Sequence, residues 1–585
     1  MGRLAAEGTG DREMATGESE HAHSHGFTKW VPGIGMMRSY KREWLRFDLV
    51  AGIVLAAILV PQGLAYAELA GLPAVTGLYT TIACLVAYAL MGPSRVLVLG
   101  PDSSVSPLIF AAIIPLVAGG DPASMIALAG MLALMVGVIE IGLGIGKLGF
   151  IADLLSKEVQ AGYMNGLAVT IIVGQLPKLF GFSTEADGFI EEVVAFFAGL
   201  DATDRVTLAI GLATLLVMVG LPRVTKKVPA VLVAVGGATI VTAALGLADE
   251  GVKTVGVLPS GLPVPSFPWT SYSDLALLAA AAVGIVMVSL ADTIATSTSF
   301  AARRGDEVDP NQEMIGVGSA NLAAGVFQGF AVSVSSSRTA VADQAGAKSQ
   351  ITGLVGAGIV VALLVFFPSF LKDLPQTALA AVVIAAALSL ADIGVLRVYW
   401  RVRKTSLALS LVATVGVILF GVLEGILVAV ALAIILFFRR SWWPPGEVLG
   451  YDGELDGWHA LSHFPEAKEV PGIVVFRWEA PLFFANAGIF RQQVRRLVLR
   501  RRPDWIVLQC EAITDIDVTA ADMLKGLDLE LNAQGIHLGF VELRSRLQDL
   551  ILDYGLYETL DCDHFYASMP RALAAISEEP DHTVG

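Results

Sequence analysis

The sequence predicts a polytopic α-helical membrane protein with about fourteen spans in a 7+7 inverted repeat, followed by a small cytoplasmic α/β domain. Of its 585 residues, 55% are hydrophobic and 16% are charged, and the mean hydropathy is +0.68. Apolar residues fill an almost unbroken block from Phe47 to Phe438, and the composition after Arg440 is that of a soluble domain. Soluble chains carry roughly 25% charged residues, so the surplus apolar side chains must face lipid. An ordinary soluble enzyme is therefore excluded.

Charge and cysteine content exclude further classes of protein. Lys and Arg number 39 against 54 Asp and Glu, a net charge of −15, which is wrong for a nucleic-acid binder. The three cysteines are far apart and outside any metal-binding spacing, which argues against a disulfide scaffold or a zinc site: Cys84, Cys510 and Cys562. No P-loop motif is present, so ATP is not expected to drive this chain. All eight histidines lie outside the apolar block, which leaves no nucleophile–histidine pair there.

Fourteen apolar segments are candidate spans, and several are close to the roughly 20 residues that cross a bilayer. They run over 48–69, 74–91, 103–118, 123–145, 159–180, 206–221, 228–247, 274–300, 313–330, 335–346, 350–370, 376–392, 405–420 and 422–438. The third and the tenth segments are short and polar.

Basic residues orient the bundle because they precede the first segment and follow every even-numbered one. They include Arg38, Lys41, Arg42, Arg46, Arg95, Lys147, Lys157, Arg223, Lys226, Lys227, Arg303, Arg304, Lys348, Arg397, Arg401, Arg403, Lys404, Arg439 and Arg440. The intervening loops are acidic or neutral, as at 184–187 and 248–250, with Lys178, Arg205, Lys253 and Lys372 as exceptions. Both termini are therefore predicted to be cytoplasmic.

The flanking regions differ from the bundle. Residues 1–46 are polar, lack the apolar region of a signal peptide, and are predicted to be a disordered cytoplasmic segment; His21, His23 and His25 form a loose cluster within it. The transport domain is predicted over 47–440, a linker over 441–469, an α/β domain over 470–577 and a tail over 578–585. Strands are expected at 472–478, 505–509 and 536–542, with helices at 487–499, 518–531 and 547–554.

Ionisable residues inside a membrane are expensive and mark functional sites. The carboxyls near span ends are expected to be solvated at the interface: Glu68, Asp102, Asp343 and Glu424. Glu140 is expected to be either interfacial or packed against a neighbouring helix. Asp292, with Thr296 one turn further on, and Arg338 lie deeper. A guanidinium is always charged, so Arg338 needs an anion, a carboxylate or water beside it. A structural Asp292–Arg338 ion pair is the alternative to a substrate-binding role.

The two short segments predict an anion site. Asp102-Ser103-Ser104 opens the first and Ser333–Ser337 opens the second, so each is a serine-rich approach to a half-length helix. A half-helix that begins in mid-membrane presents free N–H groups and a positive dipole end to an anion. Broken segments in corresponding positions of two halves are the best sequence indication of a transporter site. Two such ends with Arg338 suit a small oxyanion.

At these residues the sequence resembles the sulfate permease (SulP) family of anion transporters, over about Pro32 to Ile576. The resemblance rests on Val-Pro-Gln-Gly-Leu-Ala-Tyr-Ala at 60–67, Ala-Gly-Leu-Pro at 70–73 and Gly-Leu-Tyr-Thr at 77–80. It implies a mobile core and a scaffold gate, with the substrate between the third and tenth segments. The residues that it places at the substrate are Gln62, Tyr66, Ser103, Ser104, Ser336, Ser337 and Arg338.

The carboxyl-terminal domain resembles a STAS domain, with Asp515-Ile516-Asp517-Val518-Thr519-Ala520 at the position of that domain's Asp-x-Ser/Thr-Gly loop. Ala520 replaces the usual glycine, and Thr519 occupies the position phosphorylated in related bacterial proteins. The resemblance implies a regulatory, dimer-forming module and hence a homodimer in the plasma membrane.

Two transport mechanisms remain open at this point. In the first, Arg338 and the helix ends hold sulfate while Asp292 takes a proton; the resemblance favours sulfate because sulfate-type members carry this arginine. In the second, Asp292 and Thr296 hold Na⁺ in a bicarbonate symporter. Dicarboxylates, chloride and nitrate are further candidate anions, for symport or exchange, and a sensor whose STAS domain recruits a partner is the non-transport alternative. No cofactor is expected beyond a coupling ion, H⁺ or Na⁺.

Overall fold

A computed structural model describes residues 31–117, 121–149, 156–184, 188–225, 229–560 and 562–578. The histidine cluster at 21–25, most of the acidic loop 184–187, Lys226 and Lys227 lie outside these ranges, as does the side chain of Glu424. The chain divides into two compact units, Met1–Ala431 and Leu432–Gly585.

The helical unit begins with a short helix, and every predicted apolar segment after it coincides with a helix. The helices are α1 Pro32–Arg38, α2 Leu45–Leu69, α3 Ala74–Met91, α4 Ser106–Ile113, α5 Pro122–Ile145, α6 Lys157–Phe180, α7 Phe189–Ala198, α8 Arg205–Val224, α9 Ala230–Leu245, α10 Tyr272–Arg304, α11 Pro310–Val326, α12 Ser336–Gln344, α13 Ile351–Phe366, α14 Gln376–Leu390, α15 Ile393–Val402, α16 Lys404–Phe420 and α17 Val422–Trp442. Two short strands, β1 Leu99–Gly100 and β2 Ser333–Val334, precede α4 and α12. Among the described residues, six helices are long and apolar enough to cross a membrane.

The helix order repeats. In each half a long helix and a second helix lead into a two-residue strand and a half-length helix, so α2–α9 corresponds to α10–α17. The packing is reciprocal, because α11 packs on α5 while α13 packs on α3, and α16 packs on α6 while α14 packs on α8. The antiparallel pairing of β1 with β2 joins the halves. This is the predicted inverted repeat.

The sequence reading missed two ten-residue helices, α7 and α15, which occupy equivalent places in the two halves. Both are amphipathic and too short to cross a bilayer. The first carries Glu191 and Glu192, and the second carries Arg397 and Arg401.

Helix boundaries follow from local sequence. Asp121-Pro122 and Asp309-Pro310 start α5 and α11: each aspartate accepts hydrogen bonds from the first free N–H groups, and each proline occupies the first helical turn. Gly305 ends α10 with a left-handed conformation that glycine adopts without steric cost.

Glycines allow α5 and α11 to approach backbone to backbone. On α5 they recur every seven residues and face matching positions on α11: Gly130, Gly137 and Gly144 oppose Gly325, Gly318 and Asn311. A Cβ atom at Gly137 would lie 2.6 Å from the Gly318 carbonyl oxygen, and one at Gly144 would lie 2.6 Å from that of Asn311. Small residues of this kind are how helices pack closely in lipid.

The second unit contains a six-stranded sheet in the order β4-β3-β5-β6-β7-β8. Its strands are β3 Gly446–Asp452, β4 Gly457–Ala460, β5 Ile473–Trp478, β6 Trp505–Gln509, β7 His537–Val541 and β8 Phe565–Tyr566, and its helices are α18 Ala487–Arg501, α19 Val518–Asn532, α20 Ser545–Asp553 and α21 Met569–Glu578. The strands from β5 to β8 are parallel, and β3 and β4 are antiparallel additions at one edge. The predicted strands and helices of this domain agree with the structure to within two residues.

The prediction of a linker over 441–469 is wrong, since β3 and β4 lie there. The sequence of β3, Gly-Glu-Val-Leu-Gly-Tyr-Asp, has two glycines and two acids, and its buried positions do not alternate. Edge strands of this kind lack the hydrophobic period of two by which strands are recognised.

Substituting Gly137 by Val should destabilise the helical unit by about 1–3 kcal/mol, because the added side chain overlaps the α11 backbone. The measurement is thermal unfolding of the purified protein in detergent. Gly142→Val on the same helix is the control, since a Cβ atom there meets nothing within 4 Å. Equal melting temperatures for the two variants would contradict the packing argument.

Glu530 on α19 accepts hydrogen bonds from Arg491 and Arg495 on α18, at 2.6–3.2 Å. The Arg495 bond and then the Arg491 bond lower the pKa of Glu530 to about 2. A quarter of the side chain is exposed, so solvent screens this network. We expect Glu530→Gln to cost about 0.5–1 kcal/mol at pH 7.

The native pKa lies below the unfolded one, so this contribution is complete above the unfolded value and is lost as the pH falls toward about 2. Thermal unfolding followed by tryptophan fluorescence, to which Trp478 and Trp505 of this domain contribute, should show the wild type and the variant converging as the pH is lowered. A difference independent of pH would be inconsistent with this assignment.

Candidate functional site

The crossing of β1 and β2 places the first turns of α4 and α12 opposite each other inside the helical unit. Leu99 pairs with Val334 and Gly100 with Ser333. The pairing extends on both sides, because the Ser335 amide donates to the Val98 carbonyl at 3.1 Å and the Val98 amide donates to Thr339 Oγ1 at 3.1 Å. Two half-helix amino termini therefore meet at one point, as the serine-rich segments predict.

Arg338, in the first turn of α12, is 1% exposed. Its Nη1 donates to the Pro101 carbonyl at 2.5 Å and lies 3.5 Å from Gln62 Oε1, while Nη2 lies 3.6 Å from Asp102 Oδ2. The last distance is within ion-pair range and longer than a hydrogen bond. Among the described residues, Nε and Nη2 have no hydrogen-bond acceptor. A buried guanidinium with two unsatisfied nitrogens can accept an anionic ligand.

The glycine before this turn gives the guanidinium its space. A Cβ atom at Gly100 would lie 3.4 Å from both Cζ and Nη2 of Arg338. Gly100-Pro101 thus presents a bare backbone and a carbonyl to the charged group.

Asp102 is not the solvated interfacial carboxyl that its position near a span end predicts. Its side chain is 13% exposed and lies beside Arg338. The physical reason is that α4 begins in the interior of the helical unit, so a short distance along the chain from a helix end does not place a residue at the surface. The alternative of an Asp292–Arg338 ion pair is also wrong: in the described part of the chain the carboxylate within 4 Å of Arg338 is Asp102.

Asp292 joins the same cluster through Ser104. The Ser104 hydroxyl lies 3.0 Å from Asp292 Oδ2 and 2.9 Å from Asp102 Oδ1, and the Ser104 amide donates to Asp102 Oδ1 at 3.0 Å. Thr296, one turn after Asp292, pairs with the Ser336 hydroxyl at 2.6 Å. α10 therefore contacts both half-helix openings.

The remaining predicted residues surround this cluster. Tyr66 lies one turn beyond Gln62 on α2, is buried and interacts with Ser103. Ser336 and Ser337 are exposed at the opening of α12, and Ser337 pairs with Ser335 at 3.2 Å. The structure thus brings the substrate residues predicted from the sequence to one place, with Arg338 at the buried end and two serines at the open end.

A sequence profile described as the sulfate permease family matches residues 45–414, and one described as the STAS domain matches residues 464–572. The chain belongs to the sulfate permease family. The probable sulfate transporter Rv1739c of Mycobacterium tuberculosis (strain ATCC 25618 / H37Rv) is 40% identical over 548 residues, which cover 93% of this chain and 98% of that protein. Sulfate transporter 4.1, chloroplastic, of Arabidopsis thaliana is 29% identical over 561 residues, covering 93% and 82%.

Solved structures agree with the fold. The murine anion transporter Slc26a9, in an inward-facing state, superposes with a TM-score of 0.86 at 23% identity over 96% of this chain and 97% of that one. The transmembrane domain of the cyanobacterial bicarbonate transporter BicA gives 0.59 at 23% identity over 68% and 98%. This sulfate permease family member is therefore a membrane anion transporter with a STAS domain, and it is not an enzyme.

Other carboxyls of this permease have separate roles in the structure. Glu140 on α5 is fully buried and accepts hydrogen bonds from Ser289 at 2.8 Å and Asn321 at 2.9 Å. Of its two predicted placements, packing against neighbouring helices is correct. Asn321 also binds the Val332 amide at 2.8 Å, so this network braces the strand that leads into α12. Asp343 is partly exposed and paired with Arg304.

Sequence reasoning missed Tyr163, whose hydroxyl donates to the Ser104 carbonyl at 3.1 Å. This is a direct polar contact from α6 to the site, and Tyr163 is buried. A tyrosine in an apolar helix gives no signal of its depth or orientation. Asp102 could have been found, since it directly precedes the serines that were identified.

Replacing Tyr163 by Phe should raise the KM for the transported anion by at least about fivefold. The change leaves a buried carbonyl without its donor, which costs about 1–3 kcal/mol and loosens Ser104. The measurement is initial uptake against anion concentration in proteoliposomes. Tyr272→Phe is the control, because Tyr272 is 93% exposed; a KM for Tyr163→Phe equal to that of the control would contradict the role.

Proposed function

We propose that the chain is a secondary active transporter that carries sulfate with a proton. The anion would lie between the first turns of α4 and α12, beside Arg338. The observation that carries the proposal is the guanidinium itself: it is buried, and Nε and Nη2 have no hydrogen-bond acceptor among the described residues. Paired N–H groups of arginine suit two oxygens of one oxyanion.

Other polar groups and two helix amino termini would also contact the anion. The free N–H groups of the α12 first turn, the hydroxyls of Ser336 and Ser337, and Gln62 surround the same space. Helix amino termini favour negative charge, and the effect strengthens where water is excluded. Ser103 and Ser104 offer the matching opening of α4.

Proton coupling would run from Asp292 to Arg338 through Ser104 and Asp102. An ionised Asp102 competes with a substrate anion for the guanidinium, from 3.6 Å away. Asp292 reaches that carboxyl through the single Ser104 hydroxyl. A proton taken up at these carboxyls weakens the competition and frees Arg338 for sulfate.

The names of two relatives support sulfate as the load: the probable sulfate transporter Rv1739c and sulfate transporter 4.1. The alternative is Na⁺-coupled bicarbonate symport with Asp292 and Thr296 as sodium ligands, and BicA is a bicarbonate transporter of similar fold. Against the alternative, the Thr296 hydroxyl is paired with Ser336 at 2.6 Å.

We further propose that the transporter is a plasma-membrane homodimer with both termini and the STAS domain in the cytoplasm. The basic charge that precedes the first predicted span and follows every even-numbered span supports this orientation.

The test is uptake of labelled sulfate into proteoliposomes under an inward proton gradient or an inward Na⁺ gradient. We expect the proton gradient to drive uptake. Arg338→Ala should lower it at least about tenfold, since hydrogen bonds to charged groups contribute about 1.5–3 kcal/mol. Arg338→Lys keeps the charge without the paired N–H groups, so its uptake should lie between that of the wild type and that of Arg338→Ala.

Arg303→Ala is the matched control, because Arg303 is an exposed arginine at the end of α10. Absence of sulfate uptake, together with Na⁺-dependent bicarbonate uptake, would refute the proposal and favour the sodium mechanism.

A further inference from the structure

One hydroxyl serves two carboxyl groups at the centre of the site. Ser104 Oγ is 2.9 Å from Asp102 Oδ1 and 3.0 Å from Asp292 Oδ2. Both distances are hydrogen-bond distances between oxygen atoms. The two carboxyls come from different halves of the repeat, one from the approach to α4 and the other from α10.

The two contacts of Ser104 Oγ with the carboxyls need two hydrogen atoms, and the Ser104 hydroxyl supplies one of them. A serine hydroxyl donates one hydrogen, and an ionised carboxylate only accepts. The Ser104 hydroxyl can therefore satisfy one carboxylate, and the second short contact needs a hydrogen on the carboxyl itself. The Ser104 amide does not supply it, since its hydrogen already points at Asp102 Oδ1.

We infer that Asp102 and Asp292 share one proton through Ser104, so that Asp102 is a second proton-binding group of the transporter. The protonated carboxyl donates a hydrogen bond to Ser104 Oγ, and the Ser104 hydroxyl donates a hydrogen bond to the ionised carboxyl. Either aspartate can hold the proton. When the Ser104 hydroxyl rotates to donate to the other carboxyl, the protonated and the ionised aspartate are exchanged. The proton is taken from water and returned to water.

The charged and titratable groups around the pair fit a single shared proton. Arg338 Nη2 faces Asp102 at 3.6 Å, the Tyr163 hydroxyl donates to the Ser104 carbonyl, and Tyr66 lies near both Asp102 and Arg338. Without a proton, two carboxylates face one guanidinium, and the excess negative charge repels an anion. With one shared proton the three groups are neutral together, and the helix ends then favour the anion.

The pair also explains how a proton on α10 reaches α12. Asp292 does not pair with Arg338, whereas Asp102 does. When the hydrogen lies on Asp102, that carboxyl no longer competes for Nη2. The coupling depends on the hydroxyl of Ser104 as much as on either acid.

The shared proton is tested by infrared spectroscopy of the full-length wild type at pH 7, through the carbonyl stretch of a protonated carboxylic acid. Difference spectra against Asp102→Asn and against Asp292→Asn should each contain the same acid band, shifted in D₂O. In either variant the asparagine amide supplies the missing hydrogen, so the remaining carboxyl stays ionised. Other buried carboxyls, such as Glu140, cancel because every sample contains them.

Asp343→Asn is the matched control, since this carboxyl lies on α12 and is already paired with Arg304. Its difference spectrum should lack the band. A band missing from either of the two site differences would overturn the inference, because a single aspartate would then account for the proton or no proton would be held.

If an asparagine variant does not fold, conservative variants can still test whether Asp102 and Asp292 share a proton. Asp102→Glu and Asp292→Glu retain a carboxyl, and both should move the acid band, because one proton reports on both side chains. A shift in only one of them would contradict sharing. Ser104→Ala removes the bridge while leaving both acids in place, and it should shift the acid band, because the carboxyl that holds the proton loses its hydroxyl partner.

The inference rests on the proposed function only where it assigns the shared proton to coupling. Sulfate uptake by Asp102→Asn is expected to lose its dependence on the proton gradient. If the infrared result holds but wild-type uptake ignores the proton gradient, the proposed function fails and the shared proton remains. If uptake is proton-driven and the band is absent from the Asp102 difference, the shared proton fails and the proposed function remains.

Discussion

The structure depends on one constraint, the burial of the Arg338 guanidinium inside the helical unit. Removing such a charge from water costs several kcal/mol unless other groups replace the solvent. The replacement comes from two segments of the first half. Gln62 on α2 is one, and the stretch before α4 is the other, where the Pro101 carbonyl and Asp102 face the guanidinium and Gly100 leaves room for it. The antiparallel crossing of β1 and β2 holds these segments in register. A site with this geometry forms only when both halves of the chain have packed.

The inverted repeat supplies equivalent backbones, and the sequence gives them opposite charge. After β1 the chain continues Pro-Asp-Ser-Ser, and after β2 it continues Ser-Ser-Ser-Arg. The aspartate of the first half meets the arginine of the second where the two half-helices begin. α10 then adds a second carboxyl, Asp292, whereas α2 contributes Gln62 and Tyr66. The two halves of the site therefore have equivalent backbones and differ in the side chains that they place there.

Much of the fold could be read from the sequence because hydropathy and loop charge are strong signals over 20-residue windows. The two half-helices were found from their serine clusters, and the seven residues predicted to contact substrate lie in one region with Asp292 and Thr296. Asp102 was misplaced because sequence distance from a span end was taken as membrane depth, which fails for a broken helix. Tyr163 was missed because its contact is to a backbone carbonyl, which no residue pattern encodes. α7 and α15 were missed because ten residues are too few for a hydropathy window, and β3 because an edge strand with glycines lacks alternation.

The glycine contact between α5 and α11 has a mechanical consequence. With backbone against backbone at three levels, seven residues apart, these helices cannot rotate or slide past each other without overlap of their main chains. This side of the site is stiff, and Glu140 ties the strand before α12 to it. By contrast, the polar contact of α6 with the site is a hydrogen bond from the Tyr163 hydroxyl to the Ser104 carbonyl. A rearrangement of the site is therefore expected to leave α5 and α11 together as one rigid pair, so that displacement occurs at other helix contacts.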